Sequence, residues 1–157
     1  MARARFDHVA ILVGDLDRAI DDFRKILSVL DPKQISEIVL DEDVVDGAKV
    51  RWATFVKGDG GAALQLIESQ IPRDQNLLDK RGECVHHISF CSTNVDETSN
   101  ELLRSGVPVL YKNPPHSPAR PWLRWNFIGP TEAHGVLIEI SQEYKVEGGK
   151  WVDPSDH

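Results

Sequence analysis

Two adjacent histidines, His86 and His87, lie in the run CVHHISF, which otherwise alternates like a β-strand. Neutral imidazole is the commonest metal ligand in proteins, so either side chain could bind a divalent ion. Successive side chains of a strand point to opposite faces, so only one of the two can serve a site on a given face. The elements around the pair must decide which one does.

The segment that begins at His86 repeats one near the N terminus. DHVAILVGDLDRAIDDFRKIL aligns with HHISFCSTNVDETSNELLRSG, so that His8 matches His87 and Asp15 matches Asn94. Each copy holds an apolar strand, a polar turn ending in a helix-capping residue, and an amphipathic stretch with apolar residues at helical spacing. The chain is therefore predicted to consist of two related halves.

Each half continues with three runs typical of strands. These are ISEIVL, AKVRWATFV and AALQLIES in the first half and VPVLYK, PWLRWNFIG and HGVLIEIS in the second, separated by Gly, Pro and Asp clusters that favour turns. The polar stretch SQIPRDQNLLDKRGE between the halves is interpreted as a linker. The predicted fold is α+β, one domain over residues 1–157, with a βαβββ module at about 6–68 and another at about 85–142.

Composition excludes several classes of partner. The formal net charge of −7 argues against nucleic acid or an anionic membrane surface, because both require a basic face. No apolar run is long enough to span a bilayer. The two cysteines, Cys84 and Cys91, are expected to be small, buried and reduced, and the cytoplasm is the expected compartment.

The runs FDHVAILVGDLDRAIDDFRKIL, LLDKRGECVHHISF and HGVLIEIS together resemble the vicinal-oxygen-chelate (glyoxalase/bleomycin-resistance/dioxygenase) superfamily, and within it the methylmalonyl-CoA epimerases. The resemblance covers nearly the whole chain, from Phe6 to about Gln142. It implies two βαβββ modules whose sheets form a cup around a divalent metal ion, as in glyoxalase-like proteins, and a homodimer.

Strand alternation selects the residues that would face such a metal. If the first helix covers Val9, Ile11 and Val13, His8 points to the other face, and the repeat gives His87 the matching place while His86 points outward. The same alternation leaves Gln65 and Glu139 on that face in the last strand of each half. The resemblance assigns metal binding to these four positions: His8, Gln65, His87 and Glu139. Nitrogen and oxygen donors without a thiolate favour one Co, Mn, Ni or Zn ion with open coordination positions.

A metal that chelates two substrate oxygens stabilises the enolate formed when the neighbouring carbon loses a proton. The resemblance therefore implies an isomerase that epimerises an acyl-CoA, with methylmalonyl-CoA as the leading substrate. The family's catalytic glutamate position is occupied here by Ala48, so the expected proton-transfer groups are Glu139 and a loop carboxylate, Asp46. Glu42 and Asp43 are interpreted as part of a solvated acidic loop.

The Pro-, Trp- and Arg-rich stretch NPPHSPARPWLRWNFIG departs from the epimerase pattern. Arg120 and Arg124 are candidates for binding phosphate or carboxylate oxygens, and Trp125 for a wall of the binding site. Exposed arginines that only aid solubility and core aromatic residues are the alternatives.

Other functions remain open at this point. A lyase of the glyoxalase I type, which makes lactoylglutathione, would use the same ligands, and a metal-free protein that binds or sequesters small molecules would use the same cup. An extradiol dioxygenase fits less well, because Gln65 would occupy a position that oxygen or substrate needs.

Overall fold

The computed structural model describes residues 2–156, so the two end residues of the predicted domain lie outside the described chain. Its helices and strands are β1 (Ala4–Leu12), α1 (Leu16–Leu30), β2 (Glu37–Val45), β3 (Ala48–Val56), β4 (Ala63–Ser69), α2 (Pro72–Arg81), β5 (Cys84–Ser92), α3 (Val95–Arg104), β6 (Trp125–Ile128), β7 (Ile138–Gln142), β8 (Lys145–Glu147) and β9 (Lys150–Val152). A single 3₁₀ turn (Pro32–Ile35) follows α1.

The sheet repeats one arrangement of strands in the two halves of the chain. Seven strands follow the order β2-β3-β4-β1-β5-β7-β6, and β8 and β9 form a separate two-stranded sheet. In the first half β1 pairs in parallel with β4, which pairs antiparallel with β3. In the second half β5 pairs in parallel with β7, which pairs antiparallel with β6. The predicted α+β class and the internal repeat are confirmed.

The two main helices begin where the repeat places them. Asp15 caps α1, its side chain accepting a hydrogen bond from the backbone N–H of Arg18 at 3.1 Å. Asn94 caps α3 in the same way, accepting from Glu97 at 3.0 Å. A capping side chain satisfies an N–H group that the first helical turn leaves without a partner, so the matched Asp and Asn fix both helix starts.

The first half has a core between α1 and one face of its strands. Its buried residues are Val13, Leu16, Ala19, Ile20, Leu27, Ala53, Phe55 and Leu66, with Ile11, Phe23 and Leu64 packed against them. Residue 11 of β1 and residue 13 just after it, residues 53 and 55 of β3, and residues 64 and 66 of β4 therefore share the helix side of the sheet. The amphipathic stripe predicted for α1 is confirmed.

One predicted strand of the second half is not formed, since residues 107–112 of the described chain have no strand assignment. The segment still lies against β6, where the backbone N–H of Leu110 donates to the carbonyl of Phe127 at 2.8 Å. Beside it the buried Asn126 side chain bonds both backbone groups of Tyr111, accepting from its N–H and donating to its carbonyl at 3.0 Å each. A side-chain amide thus takes the place of a strand partner.

The interpretation of the stretch between the halves as a linker is wrong in part, because this stretch contains helix α2. Pro72 starts this helix, where its missing N–H is not needed, and Gly82 ends it with φ at 75°. These are ordinary start and stop residues for a helix. The sequence interpretation also missed the hairpin of β8 and β9, whose turn is Gly148-Gly149.

The acidic segment before Asp46 is not a loop, as was expected, but the end of strand β2. The pair Asp46-Gly47, with φ of 51° and 76°, closes a two-residue hairpin to β3. Such positive φ values suit Asp and Gly and give the tight turn favoured between antiparallel strands. β2 is also an edge of the seven-stranded sheet, and its Asp41 and Asp43 side chains accept the N–H groups of Glu42 and Val44 at 2.8 Å.

Backbone contacts divide the chain into two compact units. One holds residues 8–86 with 146–150, and the other holds residues 87–145 with 2–7 and 151–156. The units divide between residues 86 and 87, close to residue 85, where the second module was predicted to begin. Within residues 2–156, none of the helices has the length and apolar character needed to cross a bilayer.

Candidate metal site

In the first half, His8 and Gln65 lie on the sheet face opposite α1, which we name the first donor face. Ile11 and Leu66 face the helix, so strand alternation turns both polar side chains the other way. β1 and β4 are in register with Ala10 beside Gln65, which leaves His8 two residue pairs away along the strand, on the same face as Ala10. Both side chains are buried, with His8 2% and Gln65 5% exposed.

The Gln65 amide has a defined orientation. Its Nε2 donates a hydrogen bond to Thr54 Oγ1 at 3.1 Å, and Thr54, directly across in β3, is fully buried. Because the nitrogen is directed at the hydroxyl, the carbonyl Oε1 is the atom that Gln65 presents as a donor to a cation.

In the second half, His87 and Glu139 lie together on the corresponding second donor face. Asn126 donates to Ser99 of α3 and so faces the helix, which places its neighbour Phe127 and the paired Glu139 on the other side. Glu139 Oε1 is 3.8 Å from His87 Nε2. It also accepts a hydrogen bond from Ser89 Oγ at 2.9 Å. The ring of Phe127 meets the His87 ring edge to face, with centroids 6.4 Å apart.

The paired histidines divide as the strand alternation predicted. His86 points away from His87 and contacts α2, with Nε2 2.8 Å from Asp74 Oδ1. Ser69 Oγ donates to the other Asp74 oxygen at 2.6 Å. Burial opposes the charge on Asp74, but hydrogen bonds from His86 and Ser69, with the charges of His86 and Arg73, hold the pKa of its carboxyl below the usual value. His86 therefore anchors a helix.

Asp7, the residue that matches His86 in the repeat, also belongs to a buried polar group. Its carboxylate accepts from Tyr144 Oη at 3.0 Å and pairs with Arg5 Nη1 at 2.9 Å. Burial and the Asp7 charge raise the pKa of the Tyr144 hydroxyl and of the Cys91 thiol far above their ordinary values. Cys91 is thus a buried thiol, as expected, whereas Cys84 is partly exposed.

His87 and Glu139 offer an imidazole nitrogen and a carboxylate oxygen 3.8 Å apart on the second donor face, and His8 offers a second, buried imidazole on the first donor face. Two imidazole nitrogens and a carboxylate oxygen are donors that suit a first-row divalent ion, and Gln65 would add a neutral oxygen. The donor set therefore fits the metal that the sequence implied.

The other predicted site residues have varied surroundings. Asp46 is exposed at the tip of the β2–β3 hairpin. Arg124 binds Asp96 of α3 at 3.1 Å and the carbonyl of Pro114 at 2.8 Å, which favours a structural role for its guanidinium. Arg120 is half-buried in the loop before β6, and its backbone N–H donates to Ser117 Oγ. Trp125 shares the second donor face with Phe127.

Sequence reasoning assigned no site role to four polar residues on these faces, one of which, Asp43, it interpreted as part of a solvated acidic loop. Thr54 and Ser89 bond Gln65 and Glu139, but only the strand register shows that they lie directly opposite them. Asp41 and Asp43 pair with Trp52 and Val50, which places both carboxylates on the face of Thr54. The hairpin turn Asp-Gly was the signal that could have placed them on a strand.

Comparison with known proteins agrees with this arrangement. Residues 7–122 match the family model described as the glyoxalase/bleomycin resistance protein/dioxygenase superfamily. An uncharacterized protein of Bacillus subtilis strain 168, YqjC, is 27% identical over 88% of this chain and 91% of its own length.

Two solved structures are also similar. Methylmalonyl-CoA epimerase from Mycobacterium tuberculosis superimposes with a TM-score of 0.71 at 29% identity, over 89% of this chain and 88% of the epimerase. A variant of the Streptomyces coelicolor methylmalonyl-CoA epimerase, in complex with 2-nitronate-propionyl-CoA, gives 0.66 at 29% identity over 88% and 96%. The resemblance and the fold expected from the sequence are confirmed. The chain belongs to the glyoxalase/bleomycin resistance protein/dioxygenase superfamily, also called the vicinal-oxygen-chelate superfamily, and within it is most like the methylmalonyl-CoA epimerases.

Proposed function

We propose that this protein is a metal-dependent isomerase that epimerises an acyl-CoA by moving an α-proton, with methylmalonyl-CoA as the leading substrate. The donor types of His8, His87 and Glu139 carry the proposal, because two imidazoles and a carboxylate suit a divalent ion. The likeness to epimerase structures, one of which holds a CoA compound, supports the substrate class. In this proposal His8, Gln65, His87 and Glu139 hold one ion of Co, Mn, Ni or Zn.

The ion supplies Lewis acidity to substrate oxygens and so stabilises negative charge that develops beside them. The remaining work falls to side chains of the chain. The carboxylate of Glu139 is 18% exposed, so a substrate can reach it, and it is a candidate to take or return the α-proton. The buried Ser89 restricts the position of this carboxylate by donating a hydrogen bond to it, and Phe127 lies directly across from Glu139 in β6.

Epimerisation needs a second proton-transfer group, because the proton must leave one face of the carbon and return to the other. Ala48, at the family's catalytic position, has no ionisable group. We keep Asp46 as a candidate and add Asp43, whose carboxylate lies on the same face as Ala48 and diagonally across the hairpin. Residues in that relation are about 7–8 Å apart, within the reach of a side chain.

Substrate contacts are proposed for Trp125 and Arg120. Trp125 lies on the second donor face, where a flat apolar side chain can pack against an acyl group. Arg120 is half-buried in the loop before β6, where a guanidinium can bind carboxylate or phosphate oxygens. Arg124 is less suited, since its guanidinium already bonds Asp96 and Pro114.

The experiment that tests the proposal follows the α-hydrogen of methylmalonyl-CoA in deuterated water. The wild-type protein loaded with cobalt is expected to exchange this hydrogen with solvent and to interconvert the two epimers. His8→Ala and Glu139→Ala variants are expected to lose both the metal and the exchange. Absence of exchange in the metal-loaded wild type would overturn the proposed reaction, and full metal retention in both variants would overturn the proposed ligands.

Two isosteric variants separate the candidates for the second proton-transfer group. Asp46→Asn keeps the hairpin, because Asn tolerates positive φ, and Asp43→Asn keeps the oxygen that accepts the Val44 N–H. The variant that removes the true group should bind metal normally yet lose roughly a hundredfold or more in exchange rate. The other variant then serves as its control. Unchanged exchange in both would exclude both residues.

A lyase of the glyoxalase I type is the second candidate, and Ala48 is the observation that favours it. Such a reaction can use Glu139 as its metal-bound base and does not require the missing glutamate. The lactoylglutathione assay distinguishes it, since the hemithioacetal of glutathione would yield a new hydroxy-thioester. A protein that binds a CoA ester without metal or exchange would instead be a small-molecule binding protein.

We also propose a cytoplasmic homodimer, in keeping with the resemblance to the epimerases. No basic surface was predicted from the net charge of −7, so nucleic acid and anionic membranes are not proposed as partners. Sedimentation equilibrium across a range of protein concentrations tests the dimer. A single species with the mass of one chain would contradict it.

A further inference from the structure

Each half of the chain has a hydroxyl group directly opposite its oxygen donor. Thr54 is the register partner of Gln65 in the antiparallel pair β3–β4. Ser89 is the register partner of Glu139 in the parallel pair β5–β7. Both hydroxyl residues are fully buried, and both bond the donor across from them. Thr54 accepts a hydrogen bond from the amide of Gln65, whereas Ser89 donates one to the carboxylate of Glu139. An amide NH₂ group can only donate and an ionised carboxylate can only accept, so each hydroxyl takes the role that its partner requires.

The contact in the first half orients the amide of Gln65. A glutamine amide can present either its oxygen or its NH₂ group, and only the oxygen is a metal donor. Thr54 Oγ1 accepts from Gln65 Nε2 at 3.1 Å, so the hydroxyl holds the nitrogen and directs the oxygen elsewhere. Without this acceptor, rotation about the last side-chain bond would exchange the two atoms.

The contact in the second half restrains the carboxylate of Glu139. Ser89 Oγ donates its only hydrogen to Glu139 Oε1 at 2.9 Å. An ionised carboxylate has about four lone-pair positions, so it can accept this bond and still bind a cation. Because the same oxygen is 3.8 Å from His87 Nε2, the serine holds it next to an imidazole donor.

We propose that Thr54 and Ser89 are positioning residues that orient the oxygen donors of the metal site, one by accepting a hydrogen bond and the other by donating one. This inference rests on the proposed metal site. Partners of this kind typically change metal affinity by about 10–100-fold. Their effect is on the ion, through Gln65 and Glu139, and not on the substrate.

The test uses Thr54→Val and Ser89→Ala, which remove each hydroxyl with little change in shape. Thr54→Ser restores the acceptor and should restore affinity. Ser99→Ala is the matched control for Ser89, because it removes a buried hydroxyl that bonds Asn126 on the helix side of the same half. Thr98→Val is the control for Thr54, since Thr98 pairs with Ser92 in the second half.

Cobalt dissociation constants come from calorimetric titration, and the visible spectrum of the cobalt-loaded protein reports its coordination. Thr54→Val and Ser89→Ala are expected to weaken binding about 10–100-fold and to change the spectrum, while Thr54→Ser and both controls stay within about twofold of wild type. Urea unfolding in chelator checks that the folds are comparable.

Three results would overturn the inference. If the wild type binds cobalt and the two test variants bind it equally well, the hydroxyls do not position the donors, while the metal site stands. If the controls lose as much affinity as the test variants, the effect is one of general stability. If the wild type itself binds no cobalt, the proposed metal site and this inference fail together.

Discussion

The residues next to each histidine donor face the opposite side of the sheet and bind buried polar partners there. His86 is tied to Asp74, and Asp7 is tied to Tyr144 and Arg5. A strand that is fixed on one face leaves its neighbouring side chain little freedom on the other. The sequence suffices to separate His87 from His86, because only face alternation and the repeat are needed. The hydroxyl partners of the oxygen donors require the strand register, which local pattern does not define.

Substitution of each histidine should separate the two roles. His87→Ala is expected to abolish metal binding at low micromolar cobalt. His86→Ala should keep the metal but lower the free energy of unfolding by about 1–3 kcal/mol, because it leaves Asp74 buried with one fewer partner. Equilibrium dialysis with elemental analysis measures the first effect and urea unfolding in chelator the second. Equal loss of metal in both variants would mean that the strand is out of register by one residue.

At the scale of elements, the largest differences from expectation lie where side chains replace backbone partners. Residues 107–112 have a strand-like composition, but Asn126 bonds the backbone of Tyr111 in place of a neighbouring strand. Helix α2 escaped notice because it has few apolar residues, and it is held by the Asp74 contacts with His86 and Ser69. Pattern reasoning finds amphipathic helices such as α1 more readily than helices fixed by polar contacts.

A variant of Asn126 tests whether its side chain takes the place of a strand partner for Tyr111. Asn126→Ala should destabilise the protein by about 1–3 kcal/mol, because buried backbone groups lose their partners. The Tyr111 amide should also lose protection from hydrogen exchange. Asn113→Ala, at an exposed loop position, is the control and should change neither quantity. Retained protection at Tyr111 would show that another group satisfies its N–H.

Asp74 should make the free energy of unfolding depend on pH in the acidic range. Its folded pKa lies below the ordinary value of 3.8, so the carboxylate stabilises the fold at pH above that value. As the pH falls below 3.8 through the folded pKa, the carboxylate gains a proton and this contribution is lost. Asp74→Asn should therefore lower the free energy of unfolding at neutral pH, and the difference from wild type should shrink in acid. Urea unfolding at a series of pH values measures it, and a constant difference would contradict the assignment.

At the scale of the whole molecule, the donors come from both halves of a duplicated sequence, with His8 and Gln65 from the first and His87 and Glu139 from the second. The duplication and its face pattern were sufficient to predict the α+β class and which polar side chains lie opposite the helices, while the assignment of four of them to a metal stays a prediction. The chemistry on the substrate was less accessible, because Ala48 breaks the pattern at one residue. The carboxylates that compete for its role, Asp43 and Asp46, depend on the hairpin register.

A metal ion that binds the folded protein but not the unfolded chain should raise the free energy of unfolding. Cobalt at about 100 times its dissociation constant is expected to add about 2.7 kcal/mol to the free energy of unfolding. Because each half supplies donors, His8→Ala and Glu139→Ala should both remove this gain. Thermal unfolding with and without cobalt measures it. A gain that survives in either variant would place the ion elsewhere.

Strand β2 lies at an edge of the seven-stranded sheet, where other chains could add to it. An open sheet edge is a template on which extended segments of other chains can add, and proteins commonly protect such edges. Here Asp41 and Asp43 occupy the N–H groups of Glu42 and Val44 and place negative charge along the edge. Leu40 and Val44 on the same strand are more than half exposed, so protection by charge matters. We therefore expect neutral substitutions at both aspartates to increase aggregation of the folded protein, which light scattering at rising protein concentration would measure.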